Sequence, residues 1–316
     1  MKMKKLLCLV MPYAAAACMD AQNISTQSWN MRVQVLDDGA LPMADAHVTI
    51  GFSLPTPLGE DIRSDRVSGV TDTNGVFAAS HPDTGSISLG LLIQKDGFYP
   101  VRVTYDLSGN YKPEKWNLNP TWTLKKIMKP IPMYAKSVNL GMPVVEKPAG
   151  YDLMAGDWVA PYGKGVNSDI LFTAYLDKRG EYDSDYKLVV SFPNKGDGIQ
   201  AFEIPTTRFS RDGSALRSSQ NAPAEGYAPQ WIQTRTVRPG KGYSGNLDEN
   251  RNYYFRVKTV LDENGAVRSA LYGKIYGDFM QFRYYLNPAS NDRNVEFDTK
   301  RNLMENLKST EQVSEP

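Results

Sequence analysis

Imidazole and thiol, the side chains best suited to acid-base and nucleophilic chemistry near neutral pH, are nearly missing from this sequence. Its 316 residues hold 2 His and 2 Cys. A Ser-His-Asp or Cys-His arrangement needs an imidazole beside the nucleophile. His47 falls in the middle of a strand pattern and His81 sits beside Pro82 in a loop, so both read as structural. Cys8 and Cys18 lie at the extreme N-terminus, where they cannot staple the body of the chain. Histidine-rich metal sites and zinc fingers are excluded with them. Gly163-Lys164-Gly165 lacks the spacing of a phosphate loop, and no Gly-x-Gly-x-x-Gly opens a helix, so no cofactor is expected.

Carboxylates and aromatics remain. Glycoside hydrolysis needs two acids about 5–10 Å apart and neither His nor metal. Asp157, Asp169, Glu203 and Asp278 fall at strand ends or loops and are the acids available for such a pair, although turn caps and solvated charges have the same signature. Glu181-x-Asp183-x-Asp185 and Asn246-x-Asp248-x-Asn250 alternate oxygen donors, but lack the glycine and terminal Glu of a calcium loop, so polar hairpin tips are expected there. Neither a metal site nor a catalytic residue is assigned. The chain has 18 Tyr, and Trp158, Tyr162, Tyr227, Trp231 and Tyr243 stand in Pro/Gly-rich segments. Aromatics held on a rigid β scaffold can stack on sugar rings or anchor a protein partner, so these five are the candidate ligand-binding residues.

The elements that must position them are strands. Met31, Val33 and Val35 alternate with Arg32 and Gln34, and similar short runs recur to Leu124, separated by turn residues. Among the turns, Asp72-Thr73-Asn74-Gly75 is expected to close a hairpin between Val67–Thr71 and Val76–Ala79. Seven or so strands in about 100 residues without a helical stretch indicate an antiparallel β-sandwich over residues 30–128. A Pro-rich connector over 129–135 follows, with Lys125, Lys126 and Lys129 read as solvated edge lysines. Over 136–304 the strand pattern resumes with longer loops. It ends in a three-strand meander (252–261, 266–276, 279–286) expected to have one buried face and one wet face carrying Arg256, Lys258, Lys274 and Arg283. Residues 305–316 read as a frayed polar tail. The fold class is therefore all-β, with two sandwich-like domains in tandem, the second a sandwich or jelly-roll.

The first domain carries a resemblance. Val33-x-Val35, Asp38-Gly39, Leu41-Pro42, Ala44-x-Ala46-x-Val48, Gly69-x-Thr71-Asp72-x-x-Gly75-x-Phe77 and Lys95-Asp96-Gly97-Phe98-Tyr99 resemble the carboxypeptidase regulatory-like, or transthyretin-like, β-sandwich family. The resemblance covers about residues 30–108 and implies a non-catalytic accessory domain. The remainder resembles uncharacterised secreted bacterial proteins.

The N-terminus supplies an address. Basic residues through Lys5, an apolar run from Leu6 to Tyr13 and the small stretch Ala14–Ala17 have the layout of a secretory signal peptide within residues 1–21. The apolar run is too short to span a bilayer, which takes about 20 residues. Ala15-Ala16-Ala17-Cys18 resembles a bacterial lipobox with Ala15 where Leu is usual, and it is equally a plain Ala-x-Ala cleavage site. Without Lys2, Lys4 and Lys5 the chain carries 33 basic against 35 acidic residues, too balanced to seek nucleic acid. The sequence thus points to an exported, non-enzymatic binding or structural protein of the bacterial cell envelope, with a protein- or glycan-binding surface on the second domain. A carboxylate-dependent glycan hydrolase is the alternative.

Overall fold

The computed structural model describes residues 28–53, 64–82, 88–106, 117–204, 213–248 and 250–316. The signal-peptide segment, with Cys8 and Cys18, lies outside the described residues. The protein is all-β, and among the described residues no helix is long and apolar enough to cross a membrane.

Eight strands build the first unit: β1 (Ser28–Leu36), β2 (His47–Ser53), β3 (Ser64–Val70), β4 (Val76–Pro82), β5 (Ser88–Gln94), β6 (Val101–Asp106), β7 (Asn117–Leu118) and β8 (Thr121–Thr123). One sheet runs β4-β1-β7, with β8 also on β1, and the other contains β6-β5-β2-β3. Alternation sets the core: Met31, Val33 and Val35 of β1 pack with Val48 and Ile50 of β2, Leu91 and Ile93 of β5, and Val101 and Val103 of β6.

The Asn74-Gly75 turn departs from the sequence-based expectation. It is a tight turn, with the Asp72 carboxylate accepting from the N–H groups of Asn74 and Val76, but β3 pairs with β2 and β4 with β1. The turn therefore carries the chain from one sheet to the other and closes no hairpin. Gly75 has φ +73°, and a Cβ there would lie 2.5 Å from the Val35 carbonyl, so docking onto β1 requires glycine.

The remaining strands are β9 (Ile131–Asn139), β10 (Ala149–Asp152), β11 (Asp157–Trp158), β12 (Ile170–Gly180), β13 (Asp183–Ser191), β14 (Gly198–Phe202), β15 (Gly213–Ser214), β16 (Gln230–Arg238), β17 (Gly242–Gly245), β18 (Asn252–Leu261), β19 (Val267–Tyr276), β20 (Gln281–Leu286) and β21 (Phe297–Asn302). All of these but β15 form two six-stranded sheets, β11-β10-β12-β13-β16-β17 and β14-β18-β19-β20-β9-β21. Between these sheets Phe172, Leu188 and Val190 meet Phe255, Ile275, Phe282 and Tyr284 in a second core.

Four further expectations are corrected. The supposed connector over 129–135 enters β9, which lies inside a sheet between β20 and β21, and Pro132 is accommodated because the pairing with β20 starts only at Tyr134. The meander β18-β19-β20 has no wet face: a third core of Met133, Ala135, Tyr254, Tyr272, Tyr276, Tyr285, Val295 and Phe297 covers its other side. Ala222 and Val313 belong to this core, so the cover comes from the stretch before β16 and from the C-terminal segment. That segment is not frayed. It makes a short 3-10 turn at Ser309–Glu311, buries Val313 and pairs Glu315 with Arg283 at 2.6 Å. Lastly, Lys125 is half-buried, and its ammonium donates to the carbonyls of Arg217 and Ser218, whereas Lys126 and Lys129 are exposed.

The two units are tied together. β15 extends the first unit's sheet by pairing with β6. Glu296, with no exposure, accepts from Tyr99 Oη at 2.9 Å and from the N–H groups of Met128 at 2.8 Å and Lys129 at 2.5 Å.

Candidate functional site

The hairpin between β10 and β11 presents Trp158. One carboxylate organises its loop: Asp152 Oδ1 accepts from the N–H groups of Met154 and Ala155, and Oδ2 from those of Val166 and Asn167, all at 2.9–3.0 Å. Burial works against ionising Asp152, but these four bonds outweigh it and hold the carboxyl below its usual range. Asp157 repeats the device, accepting from the N–H groups of Trp158 and Lys164. Gly163 folds against this turn so closely that a Cβ would stand 2.4 Å from the Trp158 carbonyl. The glycine of Gly163-Lys164-Gly165 thus serves close packing. The Trp158 ring is half-buried, edge-on to Tyr151 at 5.4 Å and to Phe172 at 5.7 Å.

Beside Trp158 lies a hollow of about 470 Å³, walled by Trp158, Asp157 and Gly156, by Ser137 and Asn139 of β9, by Gln281 of β20, and by Lys308, Thr310 and Glu311 of the C-terminal segment. A second hollow of about 490 Å³ shares Ser137 and Gln281 and continues to Arg217, Arg283 and Gln312. The two adjoin through the shared Ser137 and Gln281, and together they make up the groove. Lys136 joins its walls, donating to the Gly156 carbonyl at 2.7 Å and pairing with Glu311 at 3.0 Å. The Lys308 N–H and, next, Lys136 hold the Glu311 carboxyl below its usual range. Ser137, Asn139, Gln281, Thr310 and Gln312 make no side-chain hydrogen bond among the described residues. They are polar groups with their hydrogen-bonding capacity open toward a concave surface.

A larger hollow, about 730 Å³, lies where the two units meet. Several of its polar groups are engaged, Glu296 as described, Asn294 with the Lys129 carbonyl and the Glu296 N–H, Asp38 with the Lys126 N–H and Asp37 within its own turn, while the exposed Lys126 and Lys129 side chains and the Asn221 amide at its rim have no partner among the described residues. It is the joint between the units and holds no tryptophan, whereas the groove sets an indole beside its open polar groups.

The five aromatics do not form one patch. Trp158 lines the groove, and Tyr162, 42% exposed, stands in the same loop. Tyr227 packs on the outer core, its hydroxyl donating to the Pro223 carbonyl and its face covered by Arg256 at 4.9 Å. Trp231 lies edge-on to Tyr253 at 5.5 Å under Arg251, packed on the inter-sheet core. Tyr243 is 73% exposed on β17, at the far edge of that sheet. The dispersal has a physical cause: Pro/Gly-rich segments here fold back over sheets, so Trp158, Tyr227 and Trp231 pack on the cores, while Tyr162 and Tyr243 stay exposed.

The acids are also dispersed. Asp169 is buried and pairs with Lys258 at 2.7 Å, Glu203 is exposed, and Asp278 accepts from the Met280 and Gln281 N–H groups. Asp157 and Asp278 line different hollows of the groove, and no two of the four acids face each other across one. Asp183 and Asp185 are taken by Arg179 and Arg238, and Asn246 by the Thr234 N–H. Among the described residues no group of three or more His, Cys, Asp or Glu side chains is placed to hold a metal. His81 bridges Asp65 and the Pro82 carbonyl and stacks on Phe52, while His47 is exposed.

One constellation escaped the sequence. Lys274 is fully buried between the rings of Tyr276 and Tyr285, with Nζ 3.4 Å from Ser218 Oγ. Burial pushes its ammonium well below the usual lysine range. A serine beside such a lysine has the makings of a nucleophile and base. Ser218, however, is 1% exposed and also bonded by Tyr276 Oη at 3.1 Å, so no substrate reaches the pair.

No family model matches the chain, and no curated protein matches it. Solved structures similar to it include a 3-chlorocatechol 1,2-dioxygenase from Rhodococcus opacus, at 16% identity over 34% of this chain and TM-score 0.24. The shaft pilin spaA from Lactobacillus rhamnosus GG aligns at 10% identity over 86% of this chain and 94% of its own, TM-score 0.22. A candidate carbohydrate-binding protein from Bacteroides uniformis aligns at 12% identity over 83% and 98%, TM-score 0.19. The chain spans 62% of the dioxygenase's length. These likenesses carry nothing about function.

Proposed function

We propose that this is a non-enzymatic, glycan-binding protein of the bacterial envelope, and that the groove beside Trp158 is its binding site. The observation that carries the proposal is the coincidence of a partly buried indole, which packs on the inter-sheet core and lines the groove, with five polar side chains, Ser137, Asn139, Gln281, Thr310 and Gln312, that make no side-chain hydrogen bond among the described residues. Such a surface offers stacking for a sugar ring and hydrogen bonds for its hydroxyls. The alternative of a carboxylate hydrolase is less well supported: two acids, Asp157 and Glu311, line the Trp158 hollow, but Asp157 is engaged by the Trp158 and Lys164 N–H groups and Glu311 by the Lys308 N–H and Lys136.

On an array of neutral and acidic oligosaccharides, the protein is expected to bind, and Trp158→Ala to weaken binding by about 2 kcal/mol, roughly 30-fold, as for an aromatic anchor. Asn139→Ala and Gln281→Ala should weaken binding while leaving stability within about 0.5 kcal/mol. Tyr243→Ala and Trp231→Ala, away from the groove, should leave affinity unchanged. Binding that survives Trp158→Ala but not Tyr243→Ala would move the site to the β17 edge.

The first unit we assign as a carboxypeptidase regulatory-like accessory domain, supported by the Gly75 turn and the two-sheet core. Export and a lipid on Cys18 complete the proposal. Intact mass of the mature protein tests the anchor: a diacylated or triacylated Cys18 at its N-terminus is expected, and an unmodified Cys18 there, or a mature chain starting after it, would remove the anchor.

A further inference from the structure

The far end of the groove carries an electrostatic imbalance. Arg217 lines it and is 8% exposed, with its guanidinium 5.5 Å from the Tyr276 ring centroid. Among the described residues it has no carboxylate within ion-pair distance and no hydrogen-bond acceptor. A buried guanidinium ordinarily has both, because leaving the charge unpaired in a poorly solvated site is costly. Its cationic neighbours make the deficit larger. Arg283 lines the same hollow, and burial together with the like charge of Arg283 pushes Arg217 below the usual arginine range. Lys274 and Lys125 lie behind, around the same Tyr276. Three acids oppose these four cations: Asp38, which acts on Lys125 from the first unit, Glu296, turned toward the joint, and Glu315, which is paired with Arg283 and whose charge also reaches Arg217 without bonding it. Asp278 also lines the hollow, but its carboxylate caps the Met280 and Gln281 N–H groups, and its charge is felt by Tyr186 and Tyr253 in the inter-sheet core. The hollow is therefore walled by an unpaired guanidinium, a second one bonded on one side, the neutral readers Ser137, Gln281 and Gln312, and one carboxylate, Asp278, whose Oδ1 is taken by backbone N–H groups.

We propose that the Arg217 end of the groove is an oxyanion subsite, taking the carboxylate or sulfate substituent of a sugar whose neutral rings lie toward Trp158. The inference rests on the glycan-binding assignment for the sugar, and on Arg217 alone for the anion. A planar guanidinium fork meets either group with two parallel N–H···O bonds.

The test uses the whole protein and four small probes, glucuronate, glucose 6-sulfate, inorganic sulfate and glucose, followed by neutral and acidic oligosaccharides on the array. Chemical-shift titration should show the three anions saturating at residues around Arg217, with glucose weaker by about tenfold or more, and comparison of glucuronate with glucose 6-sulfate identifies the substituent. Arg217→Gln should abolish the anion preference and leave neutral-sugar binding in place. Arg217→Lys, which keeps the charge but not the fork, should restore part of it. Because the guanidinium has the Tyr276 ring beside it but no ion-pair carboxylate and no hydrogen-bond acceptor, Arg217→Gln should melt no more than slightly below wild type without ligand, a result that separates a ligand-binding role from a structural one.

Anion saturation at Arg217 with no oligosaccharide bound would leave the subsite standing and remove the glycan-binding assignment. Neutral oligosaccharides bound equally well by wild type and Arg217→Gln, with no anion response, would overturn the subsite and leave the groove. A markedly lowered melting temperature for Arg217→Gln, not recovered in Arg217→Lys, would also overturn it.

Discussion

Replacing Glu296 by alanine should cost about 3–5 kcal/mol, the range for deleting one partner of a buried charge cluster. Three donors lose their acceptor at once: Tyr99 Oη from the first unit and the N–H groups of Met128 and Lys129 at the junction. Lys274, fully buried, also loses the acid that favours its charged form. Glu296→Gln should be milder, since an amide oxygen can still accept from part of the set. Because the lost bonds bridge both units, the effect should extend beyond a lower midpoint. Calorimetry should show one cooperative transition in the wild type and two separated transitions in Glu296→Ala. A single unshifted transition in the variant would mean that β15 on β6 and the Lys125 contacts hold the units together without it.

The strands were legible wherever alternation was local. Met31, Val33 and Val35 in β1, and the meander ending in β20, follow directly from residue type at a two-residue period. What a turn joins was not legible. Asn74-Gly75 dictates a positive φ, but the choice of sheet on either side depends on β1 and β2, which are distant in sequence. Lys274 misled for a related reason. A lysine in an alternating strand reads as solvent-facing, and the layer that buries it comes from residues around Ala222 and Val313, whose local composition announces no core. The groove was half legible. Trp158 stood out as an indole in a Pro/Gly-rich loop. Ser137, Asn139, Gln281, Thr310 and Gln312 carry no signal singly, and they acquire meaning only when β9, β20 and the C-terminal segment converge. Arg217 is the extreme case: its interest lies in a missing partner, which is a property of three dimensions.

That convergence makes the loop holding Trp158 the most sensitive point of the site, and Asp152→Asn is the substitution that exposes it. The wild-type carboxylate receives four N–H donors and is itself 3% exposed. An asparagine keeps one oxygen and turns an NH₂ toward two of those donors, leaving buried N–H groups unmatched. The expected loss is about 3 kcal/mol, since bonds to a charged acceptor contribute about 1.5–3 kcal/mol and orphaned donors add their own penalty. The sign of the pH dependence follows from the direction of the shift. The folded-state carboxyl is held below its ordinary value, so its stabilisation is fully present above the unfolded-state pKa of about 3.9 and is lost as pH falls through the lower folded-state value. Wild type and Asp152→Asn should therefore differ by a constant amount near neutrality, and their denaturation midpoints should approach each other below about pH 4. Glycan affinity should fall in Asp152→Asn even where the protein remains folded, because the register Tyr151↔Trp158 and Asp152↔Asp157 that aims the indole loses its brace. A gap in stability that stays the same through acid pH would assign the effect to packing and not to the ionised carboxylate.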